Sequence, residues 1–332
     1  MTCELAVAGS RPVVFADDPG LRLYRAFLAG RSPNTLQAYS QDLTAFATFL
    51  DACGPGTALS RLIASRAGDG NAILLDYRAQ MTDAGLAPAT VNRRLAAVRS
   101  ALKLARTLGL STWTPDIGGL KVQGYRDTAG PGLSGTRAML VAARSQRDPV
   151  KAVRDVAIIR LMFDLGLRRG EVAGIDLEDV DRAGCKVLIR GKGCRQKQAR
   201  TLPEATLAAI EKWIAVRGRV ADPPEPALFV NLARHSRGRR ITGRGLHHLI
   251  SALGAAVGLK TRPHGLRHAS ITAALDANNG DVRAVQLHAR HASPQTTMRY
   301  DDNRKDLAGQ VAAGLAEALT LVAGDPSVSP GR

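Results

Sequence analysis

The sequence predicts a mainly α-helical chain of two domains carrying one small β-hairpin. Three observations carry that prediction. Apolar residues recur at three- and four-residue intervals through most of the 332 residues, the period of helices with one buried face. One stretch, "KVLIRGKGCRQKQARTLP", departs from that period and reads as two short strands around a Gly-rich basic turn. Between Trp113 and Leu133 the periodicity dissolves into Pro, Gly and scattered polar residues, as a connection between domains does. With 45% hydrophobic residues the chain can fill two ordinary cores.

The elements follow in order. Ser32 as N-cap and Pro33 at the first helical position open a helix whose apolar face is Leu36, Tyr39, Leu43, Phe46 and Leu50. A second covers about Asn71 to Asp83. A third, in "PATVNRRLAAVRSALKLARTLG", has Val91, Leu95, Val98 and Leu102 on one face and Gly109 as its stop. Residues 17–112 are therefore read as a helical domain, 113–132 as a linker, 133–323 as a second domain and 324–332 as a tail. Helical periodicity resumes near Ser134 and runs through "DPVKAVRDVAIIRLMFDLG", with Val153, Val156, Ile159 or Arg160 and Phe163 on its buried face. After the hairpin come helices at about 203–217, 242–257, 264–276, 282–288, 294–300 and 306–322. No internal repeat is visible.

Charge narrows the function classes. Lys and Arg outnumber Asp and Glu by 46 to 29, a formal net charge of +17, which calls for an acidic partner, nucleic acid first. Aromatic residues are only 4% of the chain, which argues against a single-strand binder built on stacking platforms and for duplex phosphate contact. Arg93, Arg94, Arg99, Lys103 and Arg106 crowd the third helix and leave a basic strip beside the apolar one, suited to DNA phosphates. The four cysteines, Cys3, Cys53, Cys185 and Cys194, show no C-x-x-C spacing, and no secretion signal or membrane-length apolar run is present, so a cytoplasmic location is expected.

Candidate chemistry lies in the second domain. Of five tyrosines only Tyr300 falls there, after a short helix opened by Ser293 and Pro294 from which a phenol could reach outward. "GLRRGE" puts Arg168 after a glycine break, "RGKGCR" puts Lys192 in the hairpin turn, "PHGLRHA" offers His264, Arg267 and His268 within one helical turn, and His291 precedes Tyr300 by nine residues. His264, His268, His288 and His291 could also be read as zinc ligands. "HGLRH", however, lacks the glutamate of H-E-x-x-H, and neither Cys185 nor Cys194 has ligand spacing. "RGKGCR" is not a nucleotide P-loop, lacking the four-residue gap between glycines and the Ser or Thr after Gly-Lys. Neither a metal nor a cofactor is expected.

In order and spacing together these stretches resemble the tyrosine recombinases, the phage integrase family of site-specific recombinases. "GLRRGEVAGIDLEDV" resembles the family's first arginine box, with Arg168 as its arginine and Glu171 as the acidic buttress. "IRGKGCRQKQARTLP" resembles its β-hairpin, with Lys192 as the turn lysine. "HGLRH" matches the His-x-x-Arg box at His264 and Arg267, and "HASPQTTMRY" the closing box at His291 and Tyr300. "SPNTLQAYSQDLTAFATFL" and "TVNRRLAAVRSALKLA" echo its amino-terminal helical domain. The likeness covers roughly residues 20 to 320. Where the family commonly has leucine-glycine before the last histidine, this chain has Ala289 and Arg290, and His288 stands as an alternative to His291.

The resemblance implies a SAM-like core-binding domain followed by an α+β catalytic domain. It implies duplex DNA as partner, a homotetramer on two DNA sites, and cleavage through a 3′-phosphotyrosine. Tyr300 would attack, Arg168 and Arg267 would clamp the phosphate, and His264 would be the base. Lys192 would protonate the leaving 5′ oxygen and His291 would hydrogen-bond the phosphate. The stripe Leu307, Val311, Leu315 and Leu319 would dock on a neighbouring subunit or on its own domain. A type IB topoisomerase and a DNA-binding regulator without catalysis are the other readings of the same chain.

Overall fold

The computed structural model describes residues 18–121, 130–191, 194, 196–301 and 307–322. The chain divides into two compact units, Met1–Tyr125 and Arg126–Arg332. It is mainly helical, with one three-stranded sheet among the described residues.

The first unit contains α1 (Pro19–Leu28), α2 (Pro33–Phe49), α3 (Pro55–Ala64), α4 (Ala67–Asp83) and α5 (Pro88–Thr107). Except for α4, each opens on a proline, where the missing N–H has no intrahelical acceptor to lose and φ is already helical. Leu23, Phe27, Leu43, Phe46, Leu59, Leu62, Leu74, Tyr77, Val91, Leu95, Val98 and Leu102 form one buried core, with the Phe46 and Tyr77 rings 5.1 Å apart edge to face.

The sequence reading did not single out α1 and α3. Both are ten residues long and are joined backbone to backbone: a Cβ on Gly20 would lie 2.2 Å from the Gly56 carbonyl oxygen. Glycines that permit close helix approach look like loop residues when read locally. Residues 113–120, assigned to the linker from their Pro and Gly content, begin by packing instead. Trp113 and Ile117 belong to this core, and Gly70 is bare because a Cβ there would meet the Trp113 ring at 2.2 Å.

The second unit begins with α6 (Gly132–Arg144), α7 (Pro149–Asp164) and the short α8 (Arg169–Ala173). The strands β1 (Val180–Asp181), β2 (Lys186–Arg190) and β3 (Lys197–Thr201) follow and form an antiparallel sheet in that order. Ile189 pairs with Gln198 and Val187 with Arg200, and the alternation along β2 turns Val187 and Ile189 into the core. Lys197, the first residue of β3, ties the turn end of the hairpin to Asp179 at 2.5 Å and to Asp176 at 3.4 Å.

Then come α9 (Glu204–Arg217), α10 (Gly243–Ala255), α11 (Pro263–Ala277), α12 (Val282–Ala289), α13 (Pro294–Asp301) and α14 (Leu307–Val322). The core centres on α7, where Ala157, Ile158, Ile159, Leu161 and Met162 are buried, while Val153, Val156 and Phe163 are only partly so. Of the face expected from periodicity, Ile159 alone is fully buried. A helix enclosed on most sides has no clean polar face to mark its orientation. Trp213 stacks on Phe229 at 6.3 Å, and its indole N–H donates to the Leu228 carbonyl at 2.7 Å.

Candidate active site

The site of the second unit is assembled at helix ends. Helix α7 stops at Asp164, and Gly166, with φ 58°, turns the chain in the left-handed region that favours glycine. Arg168 follows as the N-cap of α8. Glu171, in the first turn of α8, accepts the Arg168 backbone N–H on Oε2 at 2.7 Å and Arg168 Nη1 on Oε1 at 3.0 Å. The arginine is thereby anchored along one edge, while its side chain stays 37% exposed.

Helix α11 begins at Pro263, which puts His264, Arg267 and His268 in its first two turns. Arg267 is 3% exposed. Its Nη1 donates to the Gly166 carbonyl and its Nη2 to the Ala289 carbonyl, oxygens freed where α7 and α12 end. Burial first, and the Arg168 charge second, push the Arg267 guanidinium down to about 10, still charged at neutral pH. The same two causes act on His264: burial, then the Arg267 and Arg168 charges, lower it from its ordinary value.

Helix α12 ends in a reversal at Arg290, with φ 53° and ψ 47°. His291 then lies buried, its Nδ1 2.8 Å from Thr297 Oγ1, while Gln286 Nε2 donates to the His291 carbonyl at 3.0 Å. Burial, followed by the charges of Arg267, Arg168 and Arg290, takes His291 down to about 4, so it is a neutral hydrogen-bonding group at pH 7. Tyr300, on α13, lies face to face with His291 at 5.8 Å and tilted against His268 at 4.7 Å between ring centroids. Burial raises its phenol above the ordinary value, and the opposing influences are the Arg267 and Arg168 charges.

Arg168, Glu171, His264, Arg267, His291 and Tyr300 are thus brought into one electrostatic neighbourhood. Lys192, which falls between β2 and β3 in sequence, lies outside the described residues. The alternative His288 packs elsewhere, its Nε2 3.4 Å from Ser270 Oγ and 3.2 Å from where a Cβ on Gly166 would be. Among the described residues no group of three His, Cys, Asp or Glu side chains gathers that could hold a metal ion. Sequence reading gave Thr297 no role, weighed His268 only as a zinc ligand, and took the extra Arg290 as a residue that could touch DNA or strain the turn; its side chain instead reaches Glu171 Oε2 at 2.5 Å. The unusual residue before His291 was the available signal for the last.

The basic strip of the first unit is split. Arg93 is turned to Asp42, 2.5 Å away and buried, and Arg94 is half-buried with its Nε lacking a partner. Arg99, Lys103 and Arg106, spaced to share a helix face, line an open groove with Thr107, Thr114 and Pro115. Arg99 is held there by donating Nη1 to the Ile117 carbonyl at 3.0 Å. No helix among the described residues is long and apolar enough to cross a membrane.

The features to set beside known proteins are a helical unit, a second unit with a three-stranded sheet, and a tyrosine packed against imidazoles near a buried guanidinium. The Phage integrase family matches residues 137–306, and its N-terminal SAM-like domain matches residues 22–107. A tyrosine recombinase of Synechococcus elongatus is 36% identical over 324 residues, 96% of this chain and all of that protein. Another, of Synechocystis sp., is 38% identical over 295 residues, 87% of this chain and 92% of that one. Among solved structures, the XerH site-specific recombinase bound to palindromic difH substrate superposes with a TM-score of 0.65 at 18% identity, covering 89% of this chain and 84% of that one. The chain belongs to the phage integrase family of tyrosine recombinases.

Proposed function

We propose that this chain cleaves and rejoins duplex DNA at specific sites, and that Tyr300 is its nucleophile. The observation that carries the reading is that the Tyr300 ring packs against His291 and His268, where the charges of Arg267 and Arg168, ninety-nine positions apart in sequence, oppose the burial that raises its phenol. In-line attack forms a bond from the Tyr300 oxygen to the scissile phosphorus and breaks the bond to the 5′ oxygen, leaving a 3′-phosphotyrosine. The phenolic proton goes to His264, an imidazole kept neutral by burial and by its arginine neighbours. Arg168 and Arg267 hold the nonbridging oxygens, where negative charge accumulates, with Glu171 orienting Arg168.

His291 donates a further hydrogen bond to the phosphate. Lys192 protonates the leaving 5′ oxygen; Lys197, the first residue of β3, is engaged by Asp179 and Asp176, which leaves Lys192 for the task. Resealing reverses the step and consumes no nucleotide. No cofactor or metal enters this scheme.

DNA is held in part by α5, through Arg99, Lys103 and Arg106, with Arg93 and Arg94 beside them. Four protomers act on two sites. Helix α14 supports that assembly: Val311, Leu315 and Leu319 are 62%, 63% and 72% exposed, an apolar stripe that a second protomer would cover. The work is done in the cytoplasm, in keeping with free Cys53, Cys185 and Cys194.

The test uses a nicked duplex carrying the cognate site, on which a cleaved strand escapes and the adduct accumulates. The parent chain forms a covalent protein–DNA species and, on intact sites, recombinant joints; Tyr300→Phe binds the duplex and forms neither. Adduct with relaxation of supercoils but no joints would make it a topoisomerase, and binding without adduct a regulator.

A further inference from the structure

Arg290 is the charged side chain of the site that these roles leave unused. At its φ of 53° and ψ of 47° glycine is the ordinary occupant after a helix, and a long side chain is strained. The side chain is only 9% exposed, and its Nε and Nη1 are buried without hydrogen-bond partners. A strained turn, a buried charge and two unpartnered nitrogens all oppose folding. The compensating interaction is the ion pair of Nη2 with Glu171.

That carboxylate, with its side chain 4% exposed, receives Arg290 and the Arg168 backbone N–H on Oε2, and Arg168 Nη1 on Oε1. Two guanidiniums therefore hold one acid from opposite edges. With Oε2 occupied, the carboxylate is held against rotation and presents Oε1 to Arg168, whose remaining donors stay free of it. The Arg290 charge acts on His288, Arg267 and His291, whereas the guanidiniums acting on Tyr300 are Arg267 and Arg168.

We propose that Arg290 is a positioning residue: it clamps Glu171 through Oε2, so that Arg168 presents a fixed guanidinium edge to the phosphate. The inference rests on Arg168 being a phosphate clamp. It is tested on the full chain with Arg290→Gly and Arg290→Asn, two residues that suit the left-handed turn, and with Arg290→Lys as the charge-retaining rescue.

Two readouts are taken. In the DNA-free protein, selectively labelled arginine NMR follows rotation of the Arg168 guanidinium, its signals assigned by their loss in Arg168→Lys. Rotation is hindered in the parent, becomes free in the glycine and asparagine variants, and is hindered again in part by lysine. On the nicked duplex, the rate of adduct formation at saturation falls roughly 10- to 100-fold, as a misplaced contact does, while the duplex Kd stays within about twofold.

A folded glycine or asparagine variant with hindered Arg168 and the parental rate would overturn the proposal and leave Arg290 a structural residue. If the parent itself forms no adduct, the phosphate-clamp reading fails separately, and the rotation measurement still decides whether Arg290 anchors Arg168.

Discussion

Arginine is used in opposite ways in the two units. On α5, Arg99, Lys103 and Arg106 line an open groove, where the charges of the exposed Lys103 and Arg106 face solvent and are screened by salt. Around α11, Arg267 is 3% exposed and held by two backbone carbonyls, and Arg290 is held by Glu171. The lesson is that a guanidinium gains catalytic value when packing removes its freedom to reorganise, and binding value when it stays mobile and hydrated. Composition, which counts all of these as the same +17, cannot separate the two uses.

The strongest way to break the comparison is Arg267→Lys. A lysine keeps the charge but cannot donate to both the Gly166 and Ala289 carbonyls while facing a phosphate. Adduct formation should fall by about 10²–10³-fold, the scale of losing a preorganised oxyanion donor. Duplex affinity and its salt dependence should be little changed; single-turnover cleavage beside a salt titration checks this. A parental rate would mean that charge alone, unplaced, suffices.

A second test uses the imidazoles that the buried arginines surround. His291 is down to about 4 in the folded chain, against about 6.5 when unfolded. Between those values the unfolded chain binds more protons, so the stabilisation is complete above about pH 6.5 and disappears as pH falls toward about 4, by up to about 3 kcal/mol. His264, His268 and His288 shift in the same direction. Urea unfolding across this range should show the loss, and His291→Gln should flatten it; an unchanged slope in that variant would place the pH dependence elsewhere.

The smallest effect sharpens the comparison from the side of the first unit. Replacing Arg99, Lys103 and Arg106 together by Gln should lower the salt slope of duplex binding by about 3, with the adduct rate at saturation retained. Arg93→Gln, by contrast, should leave the slope nearly unchanged and cost about 1 kcal/mol of stability, because it leaves the buried Asp42 without its close partner. Equal slopes in the two variants would show that the strip acts as one surface after all.

Local physics made much of this legible. Prolines at helix starts, alternation along β2 and the helical periods of α2, α4 and α5 each concern residues within one or two turns of each other, so pattern suffices to find them. The order of the arginine, lysine, histidine and tyrosine boxes was likewise on the surface of the sequence. Among the elements that escaped, α8 and β1, five and two residues long, are too short for a period to show, while α1 and α3 are joined by a glycine contact across thirty-six positions, Gly20 on Gly56. The same holds for Trp113, whose place in the core depends on the bare Gly70, and for α7, whose burial on most sides erased its polar face.

By itself, then, the sequence determined two units, most helices with the hairpin between them, the excess of positive charge, and which residue types stand at each box. Only the tertiary structure decided which guanidiniums are buried and what they grip. Arg267 is held by the Gly166 carbonyl from 101 positions away, and Arg290 meets Glu171 across 119. Helical period and strand alternation extend over a few residues, whereas burial and ion pairing are set by where distant helix ends come to rest against one another.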